Sequence, residues 1–567
     1  MRERIDAKGQ KTLFEYNVDD TRRRVSYPNA LVATPAVAFE YDEDYPRVVQ
    51  MTDGIGTSLY SYHRAGATPR LGANRLARVD GPLPNATVTY DYDEFGAVRS
   101  VGVNGDARTI ERDVAGRVTG ETNALGNFTY TYVGASNRLD TETYPNGQTV
   151  EYGYGTVEQD FDLRRITNEV NGTLLSEFTY ERDVAAGRIT TWTQAASGEP
   201  TKTYTFGYDA ANQLTSATLA VSGQPDEVTT YSYDTAGNRL TELTDGVGTS
   251  YSYNAVNQLT SISGATPPEA TYQWDAQDRL VGVTTGATAL SFGYDGLSRL
   301  ASVLVATSGT PAEDRRYVWS GNEIAAEAAE SGFVARRFHP QGMSIAPGLQ
   351  QGVYYARDHL GSIREVVDGV GATRARYAYS PFGIRTKIAG DVSSEFGFAG
   401  LLQPEQSMLT IARYRAYDPQ LGLWMSRDPL GEWAGANPLF ESWFAPNLYP
   451  YVNGNPVNFI DPTGQQAAIP WGPIFGGAAA GAALGGAVGA LTGAALVCFF
   501  VPGDSSQPDD AECDKQWSDA YRKCAEWITS KQTPAVKRLR GSRNGRPYNL
   551  DDCARGHVSA ACGGNPI

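Results

Sequence analysis

Aromatic and polar positions alternate along this chain in short runs that recur about every 20 residues. Each run places two aromatic residues with one residue between them, follows them with Asp or Asn, and ends in a polar residue and Leu. A period of two puts both rings on one face of a β-strand, and the Asp-x-x-Gly or Asn-x-x-Asn that follows supplies a turn. The pattern therefore predicts consecutive β-hairpins. The second aromatic residues of the clearest copies are Tyr208, Tyr233, Tyr253, Trp274 and Tyr294.

One such hairpin is only marginally stable in water, whereas hairpins that share edges and bury a common row of rings are stable together. Strand twist accumulates along the array, so the sheet is expected to curl into a spiral or a closed shell. We predict an all-β fold, a curled sheet or cocoon-like shell. A β-sandwich or a propeller is the alternative, although a propeller blade needs about 40 residues. Residues 321–350 break the pattern, and within them residues 323–330 predict a short helix or a polar strand.

Composition agrees with short strands and tight turns, because the 567 residues include 33 Tyr and 61 Gly. The net charge of −16 argues against nucleic-acid binding by this β-rich part, which would need a basic surface. No apolar segment follows Met1, so no secretory signal peptide is recognised. Either another route exports the chain or the reading frame is truncated.

Residues 351–464 carry a dense series of ordered motifs, among them Asp-His-Leu-Gly-Ser at 358–362 and Tyr-Ser-Pro-Phe-Gly at 379–383. With the repeats, they resemble Rhs/YD-repeat proteins of the polymorphic toxin family, including the Rhs repeat-associated core. The resemblance extends over residues 10–464. The remaining motifs lie at 398–400, 415–422, 426–429, 447–456 and 461–464.

The resemblance implies a hollow β-cocoon that the core segment seals at one end and that encloses an unrelated tail, often a toxin. The implied partners are the chain's own tail as cargo, an immunity protein and a secretion machinery. The implied location is secreted or at the cell surface. The predicted domains are a YD-repeat shell at 1–350, the core at 351–464, a hydrophobic Gly/Ala-rich segment at 465–503 and a separate, helical, Cys-containing tail at 504–567.

Two aspartates are the candidates for chemistry, Asp428 after Arg427 and Asp461 in an Asp-Pro-Thr-Gly motif. In relatives, carboxylates at these motifs are thought to cut the chain just after the second motif, which implies a junction between Gly464 and Gln465. One carboxylate would activate water and the other would donate a proton, while Arg427 would hold the ionised partner or polarise the carbonyl. The alternative is that both motifs are turns. Gln465 departs from the family's usual Leu, which bears on cleavage.

The hydrophobic stretch 471–501 contains no charged residue and is long enough to span a bilayer as a helix. Glycine stands at every fourth position from 477 to 493, a spacing that lets helices approach closely in membranes. We predict transient membrane contact during delivery of the tail. A buried or flexible linker is the alternative.

The tail contains four cysteines, an even number that predicts two disulfides in an oxidising compartment. Zinc binding together with His557 is the alternative, weakened by the absence of a Cys-x2-Cys pair. A basic run at 537–546 could contact nucleic-acid phosphates or form a solvated loop. We recognise no catalytic signature there, and we expect no cofactor and no metal. The four disulfide candidates are Cys513, Cys524, Cys553 and Cys562.

Three functional hypotheses remain. The first is a toxin shell that encapsulates its C-terminal effector and, after aspartyl-type self-cleavage near Gly464, releases it in competition between cells. The second is a secreted or surface-exposed structural or adhesive protein whose tail is not an enzyme. The third is a displaced, truncated cassette without a delivery module.

Overall fold

β-Strands follow one another almost without interruption in this computed structural model. The structure describes residues 2–470, apart from residues 7, 65, 67–70, 184, 265–269, 347–350, 405–407, 430–446, 466 and 469. The described residues belong to one structural unit, residues 1–480. The segment 471–501, the cysteine tail and its four predicted disulfide cysteines lie outside the described residues.

The first sheet contains 23 strands. They are β1 (Glu3–Ile5), β2 (Lys11–Tyr16), β3 (Arg22–Ser26), β4 (Val37–Tyr41), β5 (Val48–Thr52), β6 (Thr57–Tyr62), β7 (Leu76–Asp80), β8 (Thr87–Tyr92), β9 (Val98–Val103), β10 (Asp106–Arg112), β11 (Val118–Asn123), β12 (Gly126–Tyr132), β13 (Leu139–Thr143), β14 (Gln148–Tyr154), β15 (Leu163–Val170), β16 (Thr173–Arg182), β17 (Ile189–Ala196), β18 (Lys202–Tyr208), β19 (Leu214–Val221), β20 (Glu227–Tyr233), β21 (Arg239–Thr244), β22 (Val247–Tyr253) and β23 (Leu259–Gly264).

The second sheet contains 12 strands and the third contains three. The second consists of β24 (Ala270–Trp274), β25 (Leu280–Thr285), β26 (Thr288–Tyr294), β27 (Leu300–Thr307), β28 (Thr310–Ser320), β29 (Glu323–Ala328), β30 (Val334–His339), β31 (Gly342–Ile345), β32 (Gln351–Arg357), β33 (Ile363–Asp368), β34 (Thr373–Tyr379) and β35 (Arg385–Gly390). The third consists of β36 (Thr410–Ile411), β37 (Ala416–Asp418) and β38 (Leu423–Trp424). Short 3-10 turns lie at Val157–Gln159, Phe398–Gly400 and Tyr451–Gly454.

Within each sheet, every strand pairs antiparallel with the next one along the chain. The predicted all-β fold of consecutive hairpins is therefore confirmed. Of the two forms predicted for residues 323–330, the structure has the strand, β29. The division predicted at residue 350 falls between the paired strands β31 and β32, so the second sheet continues into the core segment.

The repeat turn is held by its own aspartate or asparagine. In the turn after β20, the backbone N–H of Asp234 donates to the carbonyl of Asn238 at 3.0 Å. The Asp234 Oδ1 atom accepts the N–H groups of Ala236 and Asn238, both at 2.9 Å. These bonds provide the backbone N–H groups of the tight turn with acceptors inside the turn itself. This explains why Asp or Asn follows each aromatic pair. The same pair of side-chain bonds recurs at Asp209, Asn254, Asp275 and Asp295.

Successive hairpins are joined by an arginine and a tyrosine. Arg279 forms an ion pair with Asp275 of its own turn at 2.6 Å, and its guanidinium carbon lies 4.8 Å from the ring centre of Tyr294. The Tyr294 hydroxyl donates to the carbonyl of Leu280 at 2.8 Å. A cation–π contact and a hydrogen bond contribute about 1 kcal/mol each, so the hairpins stabilise one another in series. Arginines stack in the same way on Tyr62, Tyr132 and Tyr208.

The strands of the second sheet lie alongside those of the first sheet in the same order along the chain. Side-chain hydrogen bonds join residues of the first sheet and its loops to residues of the second sheet and its loops, and the residue numbers increase together in both. The later strands of the chain therefore overlap the earlier ones. The predicted curled sheet is thus present, as the accumulated strand twist requires. The bonded residues are Lys8 and Asp278, Asp53 and Gly296, Arg108 and Glu323, Asn123 and Gln341, Gln148 and Tyr355, and Ser176 and Glu365.

The core segment after β35 packs a cluster of fully buried rings against the second sheet, with Trp424, Tyr417 and Tyr451 at its centre. The rings of Tyr417 and Tyr451 stack with centres 4.2 Å apart. This cluster fixes the position of β37 and β38, which flank the candidate site. Within the part of the chain described here, no helix has the length and apolar character that crossing a membrane requires.

Candidate functional site

Arg415 lies at the centre of the site, immediately before β37. Its side chain is 4% exposed, and its guanidinium carbon lies 4.5 Å from the ring centre of Trp424, which ends β38. Burial lowers the pKa of the Arg415 guanidinium from its usual value, an effect that the charges of Asp428 and Asp461 oppose. An arginine remains a cation under such conditions, so the site contains a fixed positive charge.

The two predicted aspartates share this guanidinium. Nη2 of Arg415 donates to Oδ2 of Asp428 at 2.9 Å and to Oδ2 of Asp461 at 3.2 Å. The Asp428 side chain is 16% exposed and that of Asp461 is 3% exposed. Two carboxylates that are distant in sequence therefore meet around one cation, and only one of them has appreciable access to solvent.

The same arginine and one of the aspartates contact the predicted junction. Nε of Arg415 donates to the carbonyl oxygen of Gly464. Oδ1 of Asp461 accepts the N–H of Gln465 at 3.0 Å and that of Gly464 at 2.8 Å. The peptide group between Gly464 and Gln465 is thus held by a cation at its oxygen and by a carboxylate at its nitrogen.

A short backbone pairing closes the loop around the junction. Ile460 and Ala468 exchange two hydrogen bonds, of 2.9 and 2.6 Å, and the N–H of Tyr414 donates to the carbonyl of Thr463 at 3.0 Å. Gly464 has a φ of +78°, and a Cβ atom there would lie 3.1 Å from the backbone nitrogen of Arg415. Both the conformation and the close approach favour glycine at this position.

The carbonyl of Leu448 connects the chain segments that carry Arg415 and Asp428. It accepts Nη1 of Arg415 at 3.0 Å and the backbone N–H of Asp428 at 3.1 Å. The position of this one carbonyl therefore affects where the Arg415 and Asp428 side chains lie.

Arg427 was predicted beside the carboxylates, but its side chain is exposed, and the guanidinium between them is that of Arg415. The reason is the direction of the chain, since Asp428 points inward and its neighbour outward. Arg415 opens the motif Arg-Ala-Tyr-Asp-Pro. Arg415 is thus a charged residue within a motif of mostly buried residues. This placement was the signal that sequence reasoning missed.

The turn interpretation of the Asp461 motif describes part of the geometry. Like Asp234 in the repeat turn, Asp461 accepts two backbone N–H groups a few residues ahead of it. It differs in the contact of its second oxygen, which accepts the buried Arg415. Asp461 thus shapes the turn and links it to the cation.

The sequence matches the family model described as Teneurin YD-shell over residues 8–275 and 349–457, more than half of the chain. Double-stranded DNA deaminase toxin A of Burkholderia cenocepacia (strain H111) is 26% identical over 187 residues, which cover 29% of this chain and 12% of that protein. The chain thus spans a small part of that relative.

Two crystal structures share the fold: TcdB2-TccC3-TEV, with a TM-score of 0.56, and TcdB2-TccC3 without hypervariable C-terminal region, with a TM-score of 0.55. Each is 17% identical to this chain and covers 82% of it. The matches span 27% and 30% of those chains, respectively, so this chain corresponds to less than a third of either.

Proposed function

Since this chain belongs to the Teneurin YD-shell family, we propose that it is a toxin-related Rhs shell that holds its own C-terminal segment and cuts the chain between Gly464 and Gln465. The predicted resemblance to YD-repeat proteins is confirmed by the family match and by the shared fold. Enclosure, cutting and release are the parts that the proposal adds.

The observation that carries the proposal is the contact of Arg415 and Asp461 with opposite sides of one peptide group. A guanidinium at the Gly464 oxygen stabilises the negative charge that develops there when water attacks the carbonyl carbon. A carboxylate 3.0 Å from the Gln465 nitrogen is within proton-transfer distance of the leaving amine. These are two of the three elements that hydrolysis of an amide needs.

Asp428 supplies the third element, activation of water. It is the more exposed of the two carboxylates, and Arg415 holds it next to Asp461. The carboxylate pair takes a proton from the attacking water and returns a proton to the Gln465 nitrogen as the C–N bond breaks. The products are a carboxylate at Gly464 and a free amine at Gln465, so one water molecule is consumed.

The unusual residue at the junction is compatible with this chemistry. Asp461 contacts Gln465 through the backbone N–H, a group that every residue other than proline provides. Replacement of the family's usual Leu by Gln therefore leaves this contact in place.

The fate of the tail completes the proposal. The relative in Burkholderia cenocepacia is a toxin, and one structural neighbour is described as being without its hypervariable C-terminal region. We extend both observations to this chain, whose residues after 464 would be an effector enclosed by the repeat sheet and delivered to competing cells. An immunity protein and a secretion machinery would then be its partners.

Intact mass spectrometry of the purified full chain tests the proposal, beside Asp428→Asn and the exposed control Asp391→Asn. We expect the wild type and the control to give a chain that ends at Gly464 and a tail of about 100 residues. Asp428→Asn should give one full-length mass. A single full-length mass for a folded wild type would contradict self-cleavage and favour the structural or adhesive hypothesis.

A further inference from the structure

One hairpin of the repeat sheet buries a charge where its neighbours bury an aliphatic side chain. In β18–β19, β22–β23 and β24–β25, the residue paired with the second aromatic is a leucine: Leu214, Leu259 and Leu280. In β20–β21 the residue paired with Tyr233 is Arg239, which is 3% exposed. A buried guanidinium is costly unless it is paired, and Arg239 forms an ion pair with Glu242 at 3.0 Å.

Arg239 reaches from the first sheet into the core segment. Its Nη2 donates to the carbonyl of Gln420, and its guanidinium carbon lies 4.7 Å from the ring centre of Phe382. Gln420 lies in the turn between β37 and β38. That hairpin begins next to Arg415 and ends at Trp424, on which Arg415 stacks. Arg239 therefore holds the tip of the hairpin whose base carries the site's cation.

The preceding residue, Asn238, contacts the part of the core segment whose backbone bonds to Asp428. Its Oδ1 accepts Nδ2 of Asn447 at 2.5 Å, and both residues are buried. Asn447 precedes Leu448, whose carbonyl accepts hydrogen bonds from Arg415 and from the backbone of Asp428. In some other repeats this position is an arginine that pairs with its own turn, as Arg279 does with Asp275. Asn238 likewise donates to Asp234 of its own turn at 2.8 Å, and in addition it reaches the core segment.

We propose that Asn238 and Arg239 are positioning residues for self-cleavage, so that the chain is cut only after the core segment has docked on the first sheet. The inference rests on the proposed self-cleavage. Two adjacent side chains, one at the end of a turn and one at the start of β21, reach two places in the core segment. Arg239 bonds to the hairpin that follows Arg415, and Asn238 bonds to Asn447, whose neighbour Leu448 accepts the backbone N–H of Asp428. Cleavage is thereby coupled to docking of the core segment on the first sheet. Until the shell has assembled in this way, the tail stays attached to the rest of the chain.

The test follows the cleaved fraction of the full chain over time after cell-free translation. We expect Arg239→Met and Asn238→Ala to slow cleavage by at least about 10-fold, because small displacements of reacting groups are costly in rate. Arg239→Lys keeps the charge and should recover part of the rate. The matched control is Arg117→Met, since Arg117 pairs with Asp113 and stacks on Tyr132 within the repeats. It should cleave like the wild type.

A further variant, Gly422→Ala, disturbs the same contact from the core side and leaves Arg239 in place, and Gly187→Ala is its control. Gly422 has a φ of +66°, and a Cβ atom there would lie 3.2 Å from the guanidinium carbon of Arg239. Gly187 has a φ of +67° and nothing within 4 Å of such an atom. Both alanine variants therefore carry the same backbone strain, but only Gly422→Ala should slow cleavage.

The outcomes separate the two proposals. Wild-type rates in both Arg239→Met and Gly422→Ala would overturn the positioning role and leave self-cleavage standing. An uncleaved wild type would overturn both proposals. Equal slowing in Gly187→Ala and Gly422→Ala would show that loss of stability alone affects the rate and would also overturn the positioning role. Resistance of each variant to limited proteolysis identifies any that fail to fold, and Arg239→Lys and Gly422→Ala then decide.

Discussion

Arg415 and Asp461 contact the two ends of the same peptide group, the first through a bond to the Gly464 oxygen and the second through a bond from the Gln465 nitrogen. They also contact each other at 3.2 Å. A displacement of either residue therefore alters the contact that the other makes with the junction. Because both contacts are to backbone atoms, the geometry depends little on which side chain follows Gly464.

Replacement of Asp461 by Asn tests the carboxylate at the leaving nitrogen. Asn keeps the size and an acceptor oxygen for the N–H groups of Gly464 and Gln465, but it cannot carry a proton in the way that a carboxylate does. We expect the rate of self-cleavage to fall by at least about 100-fold, the usual contribution of a general acid or base. The measurement is the full-length fraction by intact mass after a fixed time.

Asp368→Asn is the matched control for this variant. Oδ1 of Asp368 accepts the N–H groups of Val370 and Ala372, at 3.1 and 2.9 Å, in a repeat turn. The control removes the same charge from the same kind of turn and should cleave normally. Normal cleavage in Asp461→Asn as well would mean that Asp461 acts only as a turn residue.

Arg415→Lys tests whether the forked geometry of the guanidinium is needed. Arg415 donates to Asp428, Asp461, the Leu448 carbonyl and the Gly464 carbonyl. One ammonium group cannot reach all four acceptors, so we expect a decrease in rate of about 100-fold, as for loss of an oxyanion donor. Arg427→Gln should cleave at the wild-type rate because that side chain is exposed. The reverse result, with Arg427 required and Arg415 dispensable, would restore the role predicted from sequence.

The fold was accessible from sequence because its determinants are local. The Tyr-x-Tyr alternation and the turn residue after it specify a hairpin within about 20 residues, and hydrogen bonds such as those of Asp234 remain within one turn. Arg415 and Arg239 were not predicted, because their roles depend on partners far away in sequence. Nothing near Arg239 indicates that its guanidinium reaches the carbonyl of Gln420. Only tertiary structure gives such information.

Gly464→Ala tests the close approach at the junction. The substitution adds a Cβ atom 3.1 Å from the Arg415 nitrogen, at a φ of +78° that costs other residues about 1 kcal/mol. We expect slower cleavage and a lower midpoint of thermal unfolding. Gly116, with a φ of +79° and nothing within 4 Å, is the control. Gly116→Ala should lower the midpoint similarly without affecting cleavage, and equal cleavage in both variants would show that the close approach has no chemical consequence.

The pH dependence of stability should include a contribution from Glu365, which is buried between the two sheets and accepts the Ser176 hydroxyl at 3.0 Å. Burial raises the pKa of Glu365 from 4.5 to about 7. The folded protein therefore binds a proton that the unfolded chain has lost between these two values, and the free energy of unfolding should fall as pH rises from 4.5 to 7. The full effect is about 3 kcal/mol. Glu365→Gln should reduce the fall in urea midpoint between pH 5 and pH 8, whereas the exposed Glu151→Gln should not. An unchanged pH dependence in Glu365→Gln would mean that Glu365 is ionised in the folded protein throughout this range.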